Sequence, residues 1–546
     1  MIFNYSRNDV KGKDMVLQRI FEIMPGLSSW TVLIGMTILS FKQAVLAAII
    51  ILAFDLYWLL KLFYMTFFLV ISYIVLSSES KTDWLSRIKG LKNIDEYTAF
   101  LKSNLKSRKL KGRLSDTCCI KQLQEIKSKK ILIPDFDKIV QLVIVPVVKE
   151  SKRVIEDNVK SLKSGTFSAK QIVVVIALEG RAKQEIKNGI NEIQNSYKND
   201  FYELLVVTHK DNLEKEARVK GANITNAAKH AAGYLKEKHV NFDNVIMSCF
   251  DADTIVNPHY FACLTYTFMI TQDRLRCSFQ PVPVYNNNIW QVPGFARVLE
   301  TGSSFFQLIE ATNPEKLVTF SSHSMSFKAL VECDYWPVDM ISDDSAIYWK
   351  AFIHYDGKYR VVPIYTTVSM DIVEGGTAWR TVVDEYKQKR RWAWGVENFP
   401  LVMRAFIKDR KISFFKKIKL GFKLFEQHFA WATWAFLLTF IGWLPAIFAG
   451  EHYKHVVTYY NVPRITGVIF NLASISLIVS IILSILLLPK NKQKTYSWFL
   501  KIIYAFQWLL IPVIIIFISA LPALDAQTRL MLGKRMEFWV ADKRKT

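Results

Sequence analysis

The chain has only six cysteines in 546 residues (Cys118, Cys119, Cys249, Cys263, Cys277 and Cys333), with no C-x-x-C pair and no regular spacing. That excludes a zinc-binding ribbon or finger and a disulfide framework, and makes the central region read as reduced and cytosolic. A cleavable leader is not expected either, because MIFNYSRNDVKGKD stays polar for too long. Acids are scarce beside bases, 48 against 71, for a net charge of +23. Nucleic-acid binding would account for that charge but not for the long apolar runs beside it, so no nucleic-acid partner is expected. From residue 80 to about residue 400 no stretch is long and apolar enough to cross a bilayer.

What is present is oil next to base: 51% of residues are hydrophobic and 14% aromatic. This is the composition of an integral membrane protein with a large cytosolic face. Residues 26–41 carry no charge, and the apolar region 44–77 is broken only by Asp55 and Lys61. A crossing takes about 20 apolar residues, which predicts a short first helix, a tight turn near Phe41-Lys42-Gln43 and a long second helix. Arg7, Lys11, Lys13 and Arg19 precede the pair and Lys81, Arg87, Lys89 and Lys92 follow it, so both flanks are expected on the cytoplasmic side. Residues 404–425 mix Lys and Arg with Phe, Ile and Leu, as in a helix lying in the membrane surface. Three uncharged spans follow, 429–449, 465–488 and 502–524. The expected organisation is a transmembrane hairpin (1–79), a cytosolic catalytic domain (80–403), an interface helix (404–428), C-terminal transmembrane helices (429–532) and a basic tail (533–546).

Within the middle region the runs QLVIVPVV, QIVVVIALEG, FYELLVVT and NVIMSCFD alternate with helix-length polar segments. This βαβ pattern predicts an α/β fold with a mostly parallel sheet, whose ligands bind beyond the carboxyl ends of the strands. FDADT, residues 250–254, falls at such an end. Were it extended, Asp251 and Asp253 would point the same way and share one site, with a hard divalent cation between them; the plain alternative is a strand-to-loop turn that favours Asp.

Downstream come ISDDSAIYW, with Asp343 and Asp344, and YKQKRRWAWG, with Gln388, Arg391 and Trp392. D-x-D, then paired acids, then Q-x-x-R-W, between membrane segments, resembles the membrane-embedded family 2 glycosyltransferases, the group of cellulose, chitin, hyaluronan and poly-N-acetylglucosamine synthases. The resemblance implies a GT-A-like catalytic domain joined to an α-helical transmembrane domain. It implies metal-dependent, inverting transfer from a nucleoside-diphosphate sugar, expected to be a UDP-sugar, with Mg2+ or Mn2+. In that pattern Asp253, with Asp251 beside it, holds the metal. Asp344 is the base that deprotonates the acceptor hydroxyl, with Asp343 in the place usually held by Glu. Arg391 pairs with the diphosphate, and Gln388 and Trp392 form the acceptor site.

The donor end matches less closely. Glu150 and Pro146 of IVPVVKE stand in a P-x-Y-N-E pattern from which Val148 and Lys149 depart, and Glu179 of IALEG stands where D-D-G is usual. Lys220, Gly221, Asn223 and Asn226 match a K-G-x-x-N segment whose Lys reaches the nucleotide. Phe538, Val540 and Lys543 of FWVADK match a gating motif except for Ala541 in place of Thr. Three crossings after the catalytic domain would put that tail on the far side, so a re-entrant or interfacial stretch is expected between Tyr496 and Leu532. SSHSMSF, 321–327, stands in the interval where the family shapes its donor-sugar and acceptor pocket, and His323 there reads either as a sugar contact or, as a lone histidine more often is, as structural.

The family pattern implies a processive polysaccharide synthase in the plasma (inner) membrane, with its catalytic domain cytoplasmic, passing a growing glycan through the bilayer, with room for an accessory subunit. The rivals are a non-processive enzyme acting on a lipid carrier or lipid head group, and a membrane scaffold with a decayed catalytic domain.

Overall fold

The computed structural model describes residues 5–7, 10–211, 213, 216–448, 457–489 and 498–536. The gating-motif residues Phe538, Val540 and Lys543 lie outside the described residues.

Four β-branched and aliphatic runs form the parallel part of one sheet: β1 (Val140–Val147), β2 (Ile172–Glu179), β3 (Glu203–His209) and β4 (Val245–Cys249). β1, β2 and β4 are buried at every position, which is why their sequences are continuous apolar runs rather than alternating ones. The sheet continues through β5 (Ile255–Val256), β6 (Cys277–Tyr285), β7 (Ser324–Ser326) and β8 (Arg360–Met370), in the order β3-β2-β1-β4-β7-β6-β8-β5. β7 runs antiparallel to both β4 and β6, while β6 and β8 pair in parallel. The fold is thus a mostly parallel GT-A-like α/β domain joined to apolar helices.

In chain order the helices that matter below are α1 (Lys13–Lys42), α2 (Ala44–Glu79), α3 (Lys220–Glu237), α4 (Gly294–Ala311), α5 (Asp343–His354), α6 (Ala378–Ala393), α7 (Asn398–Lys408), α8 (Phe414–Thr439), α9 (Val457–Leu487) and α10 (Ile502–Met531). Four helices are long and apolar enough to span a membrane: α1, α2, the Tyr460–Leu487 part of α9, and α10. A fifth candidate is α8 together with the segment Ile441–Phe448, bent by 43°. α1 and α2 meet at Gln43, at the expected turn. α1 starts well before residue 26, because Glu22 is buried against Arg7 and Arg19 and this polar first half packs on α7.

The stretch 404–425 is not one interface helix. The chain breaks between α7 and α8, where Asp409 accepts from the amides of Lys411 (2.9 Å) and Ile412 (2.7 Å) and Ser413 caps the next helix. α8 then runs on without interruption to Thr439. Its first turns do carry an amphipathic face: Phe415, Ile418 and Phe422 are 83%, 53% and 67% exposed, while Lys416 and Lys423 reach back to Gly357 and Glu310 of the catalytic domain.

α10 antiparallels α1: Arg19 donates to the carbonyls of Leu530 and Met531, and Ser29 bonds Gln527. Near its start Tyr504 and Gln507 meet Trp290 and Arg297, and near its end Asp525 pairs with Arg390 at 2.8 Å. Both ends of this apolar stretch therefore lie against the α/β domain. Arg535 and Met536 sit in a small cavity with Arg7 and Asp339, so the start of the basic tail lies on the side of the α/β domain.

Where α2 leaves the apolar region it is pinned to the catalytic domain. Glu79 pairs with Arg87 at 3.2 Å, both buried, and Arg87 also donates to the carbonyl of Ser115 at 3.0 Å. Breaking a buried pair from one side strands a charge and costs about 3–5 kcal/mol, whereas removing both charges is nearly neutral. Arg87→Met is therefore expected to lower the thermal midpoint of the protein in lipid nanodiscs, and Glu79→Gln/Arg87→Met to recover most of the loss. Tryptophan fluorescence on heating checks both.

Candidate active site

Three segments distant in sequence bring their side chains together beyond the carboxyl end of β4. Lys220, the first residue of α3, is buried, and its Nζ lies 3.0 Å from Asp251 Oδ1, 3.1 Å from Asp344 Oδ1 and 3.6 Å from Asp343 Oδ2. Burial alone would push this ammonium down, but Asp251, Asp343 and Asp344 hold it well above its ordinary range. The start of α3 is fixed from both sides. Asn223 donates to the carbonyl of Ala177 at 2.7 Å, and at Gly221 any side chain would run into the carbonyl of Pro337.

Asp251 also accepts from Ser321 Oγ at 2.6 Å. Asp253 is fully buried, and its Oδ2 accepts from the amide of Asp371 at 2.8 Å. FDADT is not extended, since β4 ends at Cys249 and the chain turns, so this turn and not strand alternation places the two acids, and the charges of both act on Tyr285. Asp343 and Asp344 open α5, where acids suit the helix N-terminus. Asp343 is buried, and burial raises its carboxyl; Lys220 opposes the rise, Asp344 and Asp251 reinforce it, and the charge of Arg391 opposes it in turn. Asp344 keeps a quarter of its side chain exposed.

Gln388, Arg391 and Trp392 lie on α6. The Oε1 of Gln388 is buried with no hydrogen-bond partner among the described residues. The Trp392 ring rests against Tyr285, the last residue of β6, with centroids 5.6 Å apart, and Lys389 Nζ lies 3.7 Å from its centroid. Lys389 is itself held at 2.7 Å by the buried Glu300 of α4.

The donor-end acids are not drawn into this cluster. Glu179 ends β2 and pairs with Arg181 at 3.4 Å, its carboxyl raised by burial. Glu150 turns back on its own loop and accepts from the amides of Val148 (2.7 Å) and Lys149 (2.9 Å). Sequence reasoning passed over Ser321 and Tyr285 and left His323 between a sugar contact and a structural role. His323 is buried, its Nδ1 lies 3.9 Å from Asp344 Oδ1, and burial pushes its pKa down. The signal was the density of polar residues in SSHSMSF, the segment that also holds the buried strand β7.

Residues 246–521, just over half of the chain, match the model of glycosyl transferase family group 2. The chain belongs to this family. The match runs from β4 through Asp251, Asp343 and Asp344, α6 and most of α10, and Lys220 lies before it. No curated protein matches the chain. Solved structures similar to it include the mannosyltransferase PcManGT of Pyrobaculum calidifontis in complex with GDP-Man and Mn2+ (13% identity over 70% of this chain and 98% of that one, TM-score 0.37). Others are residues 1–349 of S. aureus TarS in complex with UDP-GlcNAc (16%, 59% and 90%, TM-score 0.30) and GalNAc-T7 with UDP, GalNAc and Mn2+ (11%, 57% and 57%, TM-score 0.29).

Among the described residues no three Asp, Glu, His or Cys side chains form a ready-made metal cage; the carboxylates of this glycosyltransferase that converge do so on an ammonium. Magnesium commonly takes one or two protein carboxylates and completes its shell with water and substrate phosphate. Asp251, a quarter exposed, and Asp253 are a donor set of that size.

Lys220→Met should leave the three acids without their shared cation. Asp343 loses the charge that lowers its pKa, so that pKa rises. The transfer rate at neutral pH is expected to fall on the order of tenfold or more. An unchanged rate contradicts this account of the cluster.

Proposed function

We propose that this glycosyltransferase is a metal-dependent, inverting enzyme that acts processively, extending a polysaccharide from a nucleoside-diphosphate sugar and passing it through the membrane. The observation that carries the transfer chemistry of this reading is the convergence of Asp251, Asp343 and Asp344 on Lys220, with the charge of Arg391 felt at Asp343. Asp344, the partly exposed acid, takes the proton of the acceptor hydroxyl. The acceptor oxygen then forms the new bond to the anomeric carbon while the bond to the diphosphate breaks, and the diphosphate leaves with the electron pair. Arg391 and Lys220 meet the charge that develops on it. A Mg2+ or Mn2+ ion at Asp253 and Asp251 would add Lewis-acid neutralisation of the same charge. Gln388 offers its free oxygen to an acceptor hydroxyl, and the Trp392 ring supplies a flat apolar platform for a sugar ring. Glu150 and Glu179, at the carboxyl edge of β1 and β2, would serve the nucleoside, with a UDP-sugar as the expected donor. Catalysis takes place on the cytoplasmic side of a plasma (inner) membrane, with or without an accessory subunit.

A second reading has one observation in its favour. A cavity of about 670 Å3 lies between α1, α2 and α8, lined by side chains such as Val32, Met36, Ile51, Phe54, Phe429 and Leu437. So apolar a space suits a lipid chain better than a glycan, which favours a lipid-linked acceptor.

The test is to incubate the full-length protein in lipid with Mg2+ or Mn2+ and radiolabelled UDP- and GDP-sugars, and to size the products. Large, glycosidase-sensitive product that disappears in Asp344→Asn is the expected result. Label confined to an organic-extractable lipid supports the second reading instead. No transfer from any donor returns the chain to a scaffold.

A further inference from the structure

Between the catalytic acids and the Q-x-x-R-W helix lies a buckle that neither motif contains. After Trp392, α6 continues through a tight turn at Trp394–Glu397 into α7. Glu397, the last residue of that turn, reaches back to the segment that leads into α5. Its Oε1 accepts from the amide of Ile341 (2.9 Å), the amide of Ser342 (2.8 Å) and Ser342 Oγ (2.8 Å), while its Oε2 accepts from Trp394 Nε1 at 2.9 Å. The next residue, Asn398, donates to Ser342 Oγ at 2.9 Å and Ser345 Oγ at 3.0 Å, and accepts from Tyr5 at 2.7 Å.

Ser342 is the N-cap of α5, immediately before Asp343 and Asp344, yet its hydroxyl makes no cap bond to its own helix. An N-cap serine ordinarily secures its helix start by accepting from an amide one turn on. Here the hydroxyl is given to Glu397, so the position of the first turn of α5 is referred to the end of α6. Burial pushes the Glu397 carboxyl up to about 7, while the hydrogen bonds from Ser342, Trp394 and Ile341 pull the other way and favour the charged form, in which they are stronger than neutral ones. The acids and the acceptor platform are therefore joined by one side chain, through a turn only five residues beyond Trp392.

Resting on the reading of Asp344 as the base and Trp392 as the acceptor platform, we propose that Glu397 is a positioning residue. It sets the distance between the base and the acceptor held on α6, and touches neither sugar nor nucleotide. Misplacing reacting groups by about 1 Å can cost about a hundredfold in rate, so the buckle acts on turnover and not on donor capture.

The experiment compares full-length wild type, Glu397→Gln and Trp394→Phe/Glu397→Gln in lipid nanodiscs. UDP-glucose, UDP-N-acetylglucosamine and GDP-mannose serve as donors, and the readouts are kcat and donor KM. The glutamine keeps an oxygen for Ile341 and Ser342 but turns an N–H toward the indole N–H of Trp394. The expected result is a fall in kcat of about tenfold to a hundredfold with donor KM within about twofold, and partial recovery of kcat when Trp394→Phe removes the opposing donor. Unchanged kcat in Glu397→Gln overturns the proposal, as does a joint loss of kcat and donor affinity that Trp394→Phe does not relieve. A wild type that transfers from none of the three donors removes the functional reading and this inference with it; a wild type that transfers normally, with the variants failing the pattern, removes the inference alone.

Discussion

The site depends on one ammonium. Asp251, Asp343 and Asp344 come from the loop after β4 and from the start of α5, and without a cation among them three acids so close would repel or take up protons. Lys220 supplies that cation from the first turn of α3. Its placement in turn rests on two details of backbone packing, the absence of a side chain at Gly221 beneath Pro337 and the bond from Asn223 to the end of β2. A buried Lys is normally costly, and here the three acids and its burial are mutually necessary. The result is a compact, charged cluster beyond the carboxyl end of β4, where α/β domains bind their ligands.

Around that pocket the catalytic domain is tied to the apolar helices at several points. Glu79 and Arg87 fasten the end of α2, Lys416 and Lys423 fasten the start of α8, and Arg297 and Arg390 hold α10 near its two ends. α6, which bears Gln388, Arg391 and Trp392, lies between α4 and α10, with Lys389 locked to Glu300 on one side and Arg390 to Asp525 on the other. α6 thus lies at the junction of the α/β domain and the apolar helices.

Much of the fold was legible because its cause is local. β1, β2 and β4 are buried on both faces and so read as unbroken Val, Ile and Leu runs, and the long apolar helices read from length alone. The helix break at Asp409–Ser413 was passed over because the basic-aromatic composition of 404–425 continues across it, while the stop and start are carried by two short capping side chains. In the site, the acids, Gln388, Arg391 and Trp392 were legible as a spaced pattern. The turn that places Asp251 and Asp253 was not, because it depends on where β4 stops. Ser321, Tyr285 and His323 gained their relevance only from neighbours many residues away.

The sequence by itself determined the family, the alternation of buried strands and helices, and the apolar lengths, since each is written in hydropathy, period and motif spacing. Tertiary structure alone decided which acids share a cation, that both ends of α10 return to the catalytic domain, and that Glu397 joins the start of α5 to the end of α6. Those outcomes rest on contacts between residues tens to hundreds of positions apart, and a short polar side chain carries no local sign of the distant partner that will satisfy it.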